Sequence, residues 1–315
     1  MMHSIYYDFT GPEDVRRQRL YEGQLFVYSP KPSMMKLVDH ARTMIEGAFK
    51  PIDPRKAQYE MPVEKYVEIC TPLKPGFIHH PETKKILQSV VKEYGCDLEK
   101  TFIDVPRLRM VTSDGYLTSG VGYAHHPHRD TWYSAPMMQI NWWVPIYDIE
   151  TEMSMAFHPE YFDKPIKNGS DGFNYYEWNS VGRKDASKHI KTDTRKQPKP
   201  EEPLKLDPQV RMVLPAGSVV LFAAAHLHST VPNTAGRARY SIDFRTVNFD
   251  DVVAKRGAKN IDSHCHGTSL RDFMKGTDLT RMPEEVVKQY DDVEAPEEAK
   301  VFRPEIAAPM AGARK

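Results

Sequence analysis

The sequence has no excess of charge of either sign and no long apolar run. Its 315 residues include 43 basic and 43 acidic side chains, so no global field favours a nucleic acid or a membrane surface as partner. Nowhere do about 18 apolar residues follow one another, which is the length that indicates a membrane span. We therefore expect a protein that binds a small molecule, with no nucleic-acid or membrane partner. Composition leaves the oligomeric state open.

Cysteine is also scarce, with only Cys70, Cys96 and Cys265 in the whole chain. An odd number of widely separated cysteines without a CxxC spacing predicts neither a disulfide framework nor a cysteine zinc site. The N-terminus lacks the basic, apolar and small-residue order of a secretion signal. These absences favour a cytoplasmic protein.

Two amphipathic helices are predicted in the first third of the chain. Residues 32–49 carry apolar side chains at helical spacing after a candidate cap at Ser33. Residues 80–95 have a second apolar stripe, and Pro81 suits the first turn of a helix there. Because helices that precede a sheet commonly pack on it, we interpret residues 1–99 as helical support.

From about residue 101 the pattern changes to short alternating segments such as "MMQINWWVPIYDI" and "RYSIDFRTVNF", which are typical of strands. Helices followed by many short strands predict an antiparallel barrel or double-sheet jelly roll with helices on one outer face. We place this β core at about 100–250. A helical tail follows at 251–315, with helical candidates at 269–276 and 283–290. All 315 residues are interpreted as a single domain.

A polar passage at 160–207 separates two of the predicted strands and is too long for a plain connection. It contains four neighbouring aromatic residues: Phe173, Tyr175, Tyr176 and Trp178. Aromatic side chains need apolar cover, so we interpret the passage as an insertion that forms a lid at the mouth of the β core. A solvated loop without function is the alternative.

Candidate metal ligands concentrate in the stretch "YAHHPHRDTW". On a strand, His128 and Asp130 would share one face, because successive side chains alternate. Two ligands hold a divalent ion poorly, and counting by twos along "FAAAHLHS" makes His226 and His228 the candidates for a third. Two histidines and one carboxylate suit non-haem ferrous iron and oxygen chemistry. Two further histidines are interpreted as lying outside the ligand set: His125 and His126.

Two predicted strands carry polar side chains along one face. In "RARYSIDFRTV", Arg239, Ser241 and Arg245 alternate with apolar residues. A guanidinium binds a carboxylate through two parallel hydrogen bonds, and a serine two positions on can add a third. This face therefore predicts an anionic cosubstrate. The strand before it predicts a lined pocket, because three side chains share one face: Gln139, Asn141 and Trp143.

A family resemblance covers roughly residues 100–250. It rests on the stretches "HRDTW", "NWWVPIYDIETEMSMAFHPEYF" and "GSVVLFAAAHLHSTVPNTAGRARYSIDFR". Together they resemble the iron(II)- and 2-oxoglutarate-dependent oxygenases, most closely the phytanoyl-CoA dioxygenase-like branch. The resemblance implies a mainly β protein with the double-stranded β-helix fold (jelly roll, cupin-like) and flanking α-helices. It also implies Fe(II), 2-oxoglutarate and O2 as cofactor and cosubstrates.

The resemblance further implies roles for individual residues. The implied iron ligands are His128, Asp130 and His228. His228 is preferred to His226 because the sequence that follows it matches the family's distal histidine. Arg239, with Ser241 as its partner, is implied to bind the far carboxylate of 2-oxoglutarate. Gln139 and Asn141 are assigned to the cosubstrate as well. The predicted substrate contacts are Trp143, Arg245 and Tyr176.

The implied reaction is hydroxylation of an unactivated C–H bond of a small molecule, with release of succinate and CO2. Asp130 favours hydroxylation over halogenation, because related halogenases leave that ligand position to chloride. Desaturation or cyclisation would use the same ligands. One alternative is a cupin-like metal-dependent enzyme or binding protein that does not use 2-oxoglutarate and has no need of Arg239 and Ser241. The identity of the substrate and the site of oxidation are left open.

Overall fold

The computed structural model describes residues 3–122, 126–182, 189–190, 192–193 and 195–296. His125 and the end of the predicted tail, residues 297–315, lie outside these ranges. Among the helices of the described ranges, none combines the length and the apolar character needed to cross a membrane.

Seven α-helices occur in the described residues. They are α1 (Glu13–Tyr21), α2 (Pro32–Phe49), α3 (Val63–His79), α4 (Pro81–Glu93), α5 (Tyr175–Glu177), α6 (Phe249–Val253) and α7 (Glu284–Val287). The two predicted helices are confirmed as α2 and α4. Ser33 is not a cap, because Pro32 begins α2 one residue earlier and Lys31 takes the capping position. The backbone N–H of Ser33 instead donates to the carboxylate of Glu93 at 2.9 Å.

Eleven strands occur in the same part of the chain. They are β1 (Ile5–Tyr7), β2 (Leu25–Tyr28), β3 (Thr101–Ile103), β4 (Arg107–Val111), β5 (Ile140–Pro145), β6 (Met155–Phe157), β7 (Val210–Arg211), β8 (Val219–Ala223), β9 (His228–Thr230), β10 (Arg239–Asn248) and β11 (Met274–Lys275). The larger sheet has the order β1-β2-β8-β5-β10-β3-β11, and β4 also pairs with β10. The smaller sheet has the order β7-β6-β9. The pair β1–β2 is parallel and the other pairs are antiparallel, so the larger sheet is mixed.

The largest hydrophobic cluster lies between the N-terminal helices and one face of the larger sheet. Tyr240, Ile242 and Phe244 of β10 belong to it together with the apolar stripes of α2, α3 and α4. A second cluster joins the other face of this sheet to the smaller one, through residues such as Trp143 and Phe157. The architecture is therefore a mixed sheet with flanking helices and a second sheet opposite them. The sheets of the described ranges do not close, so the jelly roll stays a prediction.

Two segments differ from the predicted pattern. The helix predicted at 269–276 is wrong: Thr268 caps a single 3₁₀ turn, Ser269–Asp272, and the chain then continues into β11. That segment extends because it pairs with β3. The helix α3 is not indicated by the sequence, because Pro72 and Pro75 stand inside it and proline normally ends a helix.

Candidate metal centre and cavity

His128 and Asp130 lie in a loop that is tied to β9 and to the residue that follows β8. The backbones of His128 and His228 exchange two hydrogen bonds of 3.0 Å, and the N–H of Asp130 donates to the carbonyl of Ala224 at 3.0 Å. Asp130 then begins the 3₁₀ turn Asp130–Tyr133. The strand predicted for this pair is therefore wrong, since His128 forms an isolated bridge and Asp130 starts a turn. These backbone bonds still bring both side chains toward His228.

Arg129 lies between His128 and Asp130 in the sequence, but its side chain points away from theirs and anchors the loop. Its side chain is 1% exposed and its Nε donates to Oδ2 of Asp262 at 3.1 Å. Its other nitrogens donate to three carbonyl oxygens, those of Ala225, Tyr161 and Lys164. The indole N–H of Trp132 donates to the second oxygen of Asp262 at 2.8 Å. A buried ion pair is stable only when its hydrogen bonds are made, so this complete network fixes the position of the loop.

His128, Asp130 and His228 each place one candidate ligand atom within 4.8 Å of the other two. The Nε2 atom of His128 lies 3.4 Å from Oδ1 of Asp130, and that of His228 lies 4.0 Å from the same oxygen. Nitrogen and oxygen ligands lie about 2.0–2.2 Å from a divalent ion such as zinc, so small side-chain rotations bring all three atoms onto one ion. The described ranges contain no other group of this kind, and the stretch "SHCH" at 263–266 forms none.

Both histidines of this cluster have their second nitrogen already bonded. Nδ1 of His128 lies 2.8 Å from the carbonyl oxygen of His126, and Nδ1 of His228 lies 3.0 Å from that of His226. Because a carbonyl oxygen only accepts, each Nδ1 carries the proton and each Nε2 has a lone pair for an ion. Burial, followed by the neighbouring His128, lowers the pKa of His228 to about 4. Its ring is therefore neutral at pH 7, as metal binding requires.

The second carboxylate oxygen of Asp130 faces two other side chains. Gln139 Nε2 lies 3.4 Å from Oδ2, and the Arg245 guanidinium lies 3.8 Å from it. Burial acts to raise the pKa of Asp130, but the neighbouring side chains of His128, His228 and Asn141 lower it to about 2. The carboxylate is therefore ionised. Gln139, which the sequence assigns to the cosubstrate, is placed against Asp130 and also donates to Asn141 at 2.9 Å.

His226 is not part of the cluster. Its ring is fully buried beside Phe157 and Phe162, with centroid distances of 5.8 and 4.7 Å. Counting by twos places His226 and His228 on one face, and this is wrong because β8 ends at Ala223 and a turn separates it from β9. The structure brings His228, and not His226, to Asp130.

The cluster lines a cavity of about 750 Å³. Most of the site residues predicted from the sequence line it: His128, Asp130, Gln139, Asn141, Trp143, His228, Arg239 and Arg245. Ser241 is not among the lining residues, and neither is Tyr176, whose role as a substrate contact stays a prediction. The Tyr176 hydroxyl donates to Asp291 at 2.5 Å and accepts from Arg271 at 3.0 Å, outside the cavity. Three aromatic residues of the same run line the cavity instead: Phe173, Tyr175 and Trp178.

Arg239 and Ser241 share one face of β10, as the alternation predicts. The Arg239 side chain is 6% exposed, donates to the carbonyl oxygens of Met153 and Ser154, and lies 5.7 Å from the ring centroid of Trp143. Nε of Arg239 and Oγ of Ser241 are buried and have no hydrogen-bond partner within the described ranges. Unpaired buried donors are costly. Their chemistry fits a carboxylate ligand, which would accept from both.

The cavity also contains polar side chains that the sequence analysis did not single out: Lys74 on α3, Arg107 and Arg109 on β4, and Asn179 and Arg195 from the passage 160–207. The alternation in "RLRMV" places Arg107 and Arg109 on one face and is the signal that could have found them. Lys74 lies on α3, and the two prolines of that helix conceal its periodicity.

No protein-family model matches this sequence, and no curated protein is similar to it. Among solved structures, the chain is similar to EvdO2 from Micromonospora carbonacea var. aurantiaca complexed with 2-oxoglutarate, with 14% identity, a TM-score of 0.43, and coverage of 76% of this chain and 93% of that one. It is also similar to SnoK, a non-haem α-ketoglutarate-dependent carbocyclase from nogalamycin biosynthesis, with 13% identity, a TM-score of 0.40, and coverage of 80% and 97%.

A third similar structure is the non-haem monooxygenase ThoJ, with 12% identity, a TM-score of 0.37, and coverage of 70% of this chain and 74% of that one. These neighbours include enzymes of the broad class that the sequence resembles, and no family model supports the phytanoyl-CoA dioxygenase-like branch in particular.

Proposed function

We propose that this protein is an iron(II)- and 2-oxoglutarate-dependent oxygenase that acts on a small molecule. One observation carries the proposal: the cluster of His128, Asp130 and His228 lines the same cavity as Arg239, whose Nε has no partner within the described ranges. Two histidines and a carboxylate with open positions suit non-haem iron. A buried guanidinium beside them suits the carboxylate of an anionic cosubstrate.

The proposed fold is a double-stranded β-helix within a single domain. Its core would be residues 100–250, supported by the helices of 1–99, interrupted by the insertion at 160–207 and followed by the tail at 251–315. The smaller sheet supports this fold, because it packs on the larger one through a shared hydrophobic cluster. A cytoplasmic location belongs to the same proposal and is supported by three free thiols.

In the proposed reaction, His128, Asp130 and His228 would hold the iron. Bound there with 2-oxoglutarate, the iron would activate O2 for oxidation of a C–H bond, while 2-oxoglutarate is converted to succinate and CO2. The protein's own contribution is orientation. The carbonyls of His126 and His226 keep the proton of each ligand ring on Nδ1, so that Nε2 stays available.

Other side chains in and beside the cavity would orient the carboxylates. Gln139 and Arg245 face the second oxygen of Asp130 and so direct its first oxygen toward the histidines. Arg239 and Ser241 would bind the far carboxylate of 2-oxoglutarate, which would satisfy the two unpaired donors. A cupin-like enzyme or binding protein that does not use 2-oxoglutarate would leave these two donors unexplained, and we therefore prefer the oxygenase.

Hydroxylation is the reaction that we propose within this class. Asp130 completes the ligand set, so no position is vacated for a halide. Large apolar side chains line the cavity near the cluster, including Trp143 and Phe222, and would exclude water from the reacting carbon. Desaturation and cyclisation need the same ligands, so the product has to be identified by its mass.

The experiment is a substrate screen. Protein reconstituted with iron(II) is incubated with 2-oxoglutarate, O2 and fractions of a small-molecule metabolite pool, and succinate release is measured. We expect at least one fraction to stimulate succinate formation and one of its compounds to gain an oxygen atom. Asp130→Ala is the matched control and should release no succinate. Metal-dependent conversion of a compound without 2-oxoglutarate would contradict the proposal and support the cupin-like alternative.

A further inference from the structure

The cavity has a surplus of positive charge, although the whole chain has equal numbers of basic and acidic residues. Six basic side chains of the described ranges line it: Lys74, Arg107, Arg109, Arg195, Arg239 and Arg245. Only three acidic side chains do so, Asp104, Asp130 and Asp243; a fourth carboxylate, that of Asp193, lies behind the wall and pairs with Arg195, which leaves a surplus of two positive charges. Iron(II) and the dianion of 2-oxoglutarate would cancel each other and leave this surplus unchanged. Because charge in a partly buried cavity is costly without counter-charge, a further anion would be stabilised there.

The surplus is concentrated around Lys74 and Arg109. Burial, and then the positive charge of Arg109, lowers the pKa of Lys74 to about 8, and Arg195 acts in the same direction. Arg109 also acts to lower the pKa of Arg239. Lys74, Arg109, Arg195 and Arg239 all line this one cavity, so an anion bound there would meet several of them. Asp243 compensates part of it, with Oδ2 at 2.5 Å from Nε of Arg109.

Two further side chains that line the cavity contain buried polar atoms without a described partner. Both polar atoms of the Asn179 amide and the hydroxyl of Ser269 are buried and have no hydrogen-bond partner within the described ranges. Each of these side chains is 6% exposed, and both line the cavity. Neither belongs to the metal cluster or to the proposed cosubstrate anchor. A buried amide with free donor and acceptor atoms indicates that another molecule supplies its partners.

We propose that the substrate is an organic anion, whose carboxylate or phosphate group is bound by Lys74 and Arg109 and whose body reaches Asn179 and Ser269. The inference rests on the proposed function, because 2-oxoglutarate is assigned there to Arg239 and Ser241. The aromatic side chains of Phe173 and Trp178 line the cavity beside Asn179 and provide flat apolar surface for the rest of the substrate.

The test is a calorimetric titration without O2 of the protein loaded with iron(II) and 2-oxoglutarate. The probes are phenylacetate, its uncharged match phenylacetamide, and phenyl phosphate. We expect the better of the two anions to bind at least about tenfold more tightly than the amide, because it makes a charge-assisted hydrogen bond. The stronger anion identifies the acidic group as carboxylate or phosphate. Added salt should weaken binding of the anions and leave the amide unaffected.

Lys74→Met should remove most of the preference for the anion, and Arg195→Met should reduce it. Lys85→Met is the control, because Lys85 is exposed on the neighbouring helix α4, and it should leave the preference intact. Circular dichroism melting checks that each variant is folded. Equal binding of anion and amide, no binding of either anion, or a preference that survives both variants overturns the inference. A protein that binds neither iron(II) nor 2-oxoglutarate in the loading step instead overturns the proposed function.

Discussion

The polar groups in and beside the cavity are of two kinds, which differ in whether their partners are already in place. In the metal cluster, each ligand has its second atom bonded: both ring Nδ1 atoms to carbonyls, and Oδ2 of Asp130 to Gln139. Along β10 and the insertion, Arg239, Ser241 and Asn179 each keep a buried polar atom without a partner in the described ranges. An ion needs donors held in fixed directions, whereas an organic ligand brings its own donors and acceptors.

Removal of one ligand from the metal cluster should have the largest effect on binding. We expect His128→Ala, Asp130→Ala and His228→Ala each to weaken iron(II) binding by about a thousandfold or more, because one of three ligands is lost. Metal titration without O2 measures the change. His226→Ala is the matched control and should stay within about threefold of the wild type, because that ring lies outside the cluster. Loss of metal in His226→Ala, with retention in His228→Ala, would show that the ligand set is wrong.

Gln139 has two candidate roles. The sequence assigns it to the cosubstrate, whereas the structure places it beside the ligand Asp130. We expect Gln139→Met to weaken iron(II) binding by about tenfold to a hundredfold, because a partner that orients a ligand is removed. The affinity for 2-oxoglutarate in the metal-loaded variant should change much less. Both are measured by titration. The opposite result, with unchanged iron affinity and weakened 2-oxoglutarate, would restore the cosubstrate assignment.

Local patterns in the sequence predict much of this arrangement. The HxD spacing and a distal histidine identify the three residues that the structure brings together, and the alternation along β10 separates its core face from its cavity face. The alternation depends on a period of two residues, which a sequence displays directly, whereas the three ligands are identified by residue type and by the family resemblance, since His128 and Asp130 lie in a loop. The helices α2 and α4 are predictable from periodicity as well, through apolar residues at helical spacing.

Contacts between distant segments were not predictable. Arg129 depends on Asp262, which is far away in the sequence. The turn after β8 changes the direction in which the His226 side chain points. Counting by twos assumes a continuous strand and therefore misses such a turn. Lys74 reaches the cavity from α3, a helix that the sequence does not predict because it contains two prolines. The hydroxyl of Tyr176 donates to Asp291 of the tail, a contact that the aromatic run itself does not indicate.

The pH dependence of anion binding tests the assignment of Lys74 to the substrate anion. Burial and Arg109 lower the pKa of Lys74 to about 8, from 10.5. Lys74 therefore loses its charge as pH rises through about 8, and we expect phenylacetate to bind about tenfold more weakly at pH 9.5 than at pH 7. Calorimetry over this range tests the expectation. The Lys74→Met variant should show no such dependence, and a wild-type profile that is flat up to about pH 10 would exclude Lys74 as the partner.

The smallest effect is expected for amide hydrogen exchange in the insertion at 160–207. Residues 173–182 are held by short helical turns and line the cavity through Phe173, Trp178 and Asn179. We expect their amide hydrogen exchange, in protein loaded with iron(II) and 2-oxoglutarate, to slow by several-fold when substrate binds. Exchange of β10 is the internal control and should not change. Equal exchange in both states, or substrate-coupled turnover that survives replacement of the passage by a short linker, would contradict a lid.

We propose that the cavity joins a preset metal site to an anchor that 2-oxoglutarate completes. The most direct test of this proposal is a calorimetric titration of 2-oxoglutarate without O2 into wild-type and Arg239→Gln protein, each with and without iron(II). We expect tight binding in the wild type with iron(II), and about a hundredfold loss in the variant at unchanged iron affinity, because a charge-assisted contact is removed from a buried carboxylate. Ser241→Ala should cost less. Unchanged affinity for 2-oxoglutarate in Arg239→Gln would contradict the account and move the anchor to another arginine, with Arg245 as the first candidate.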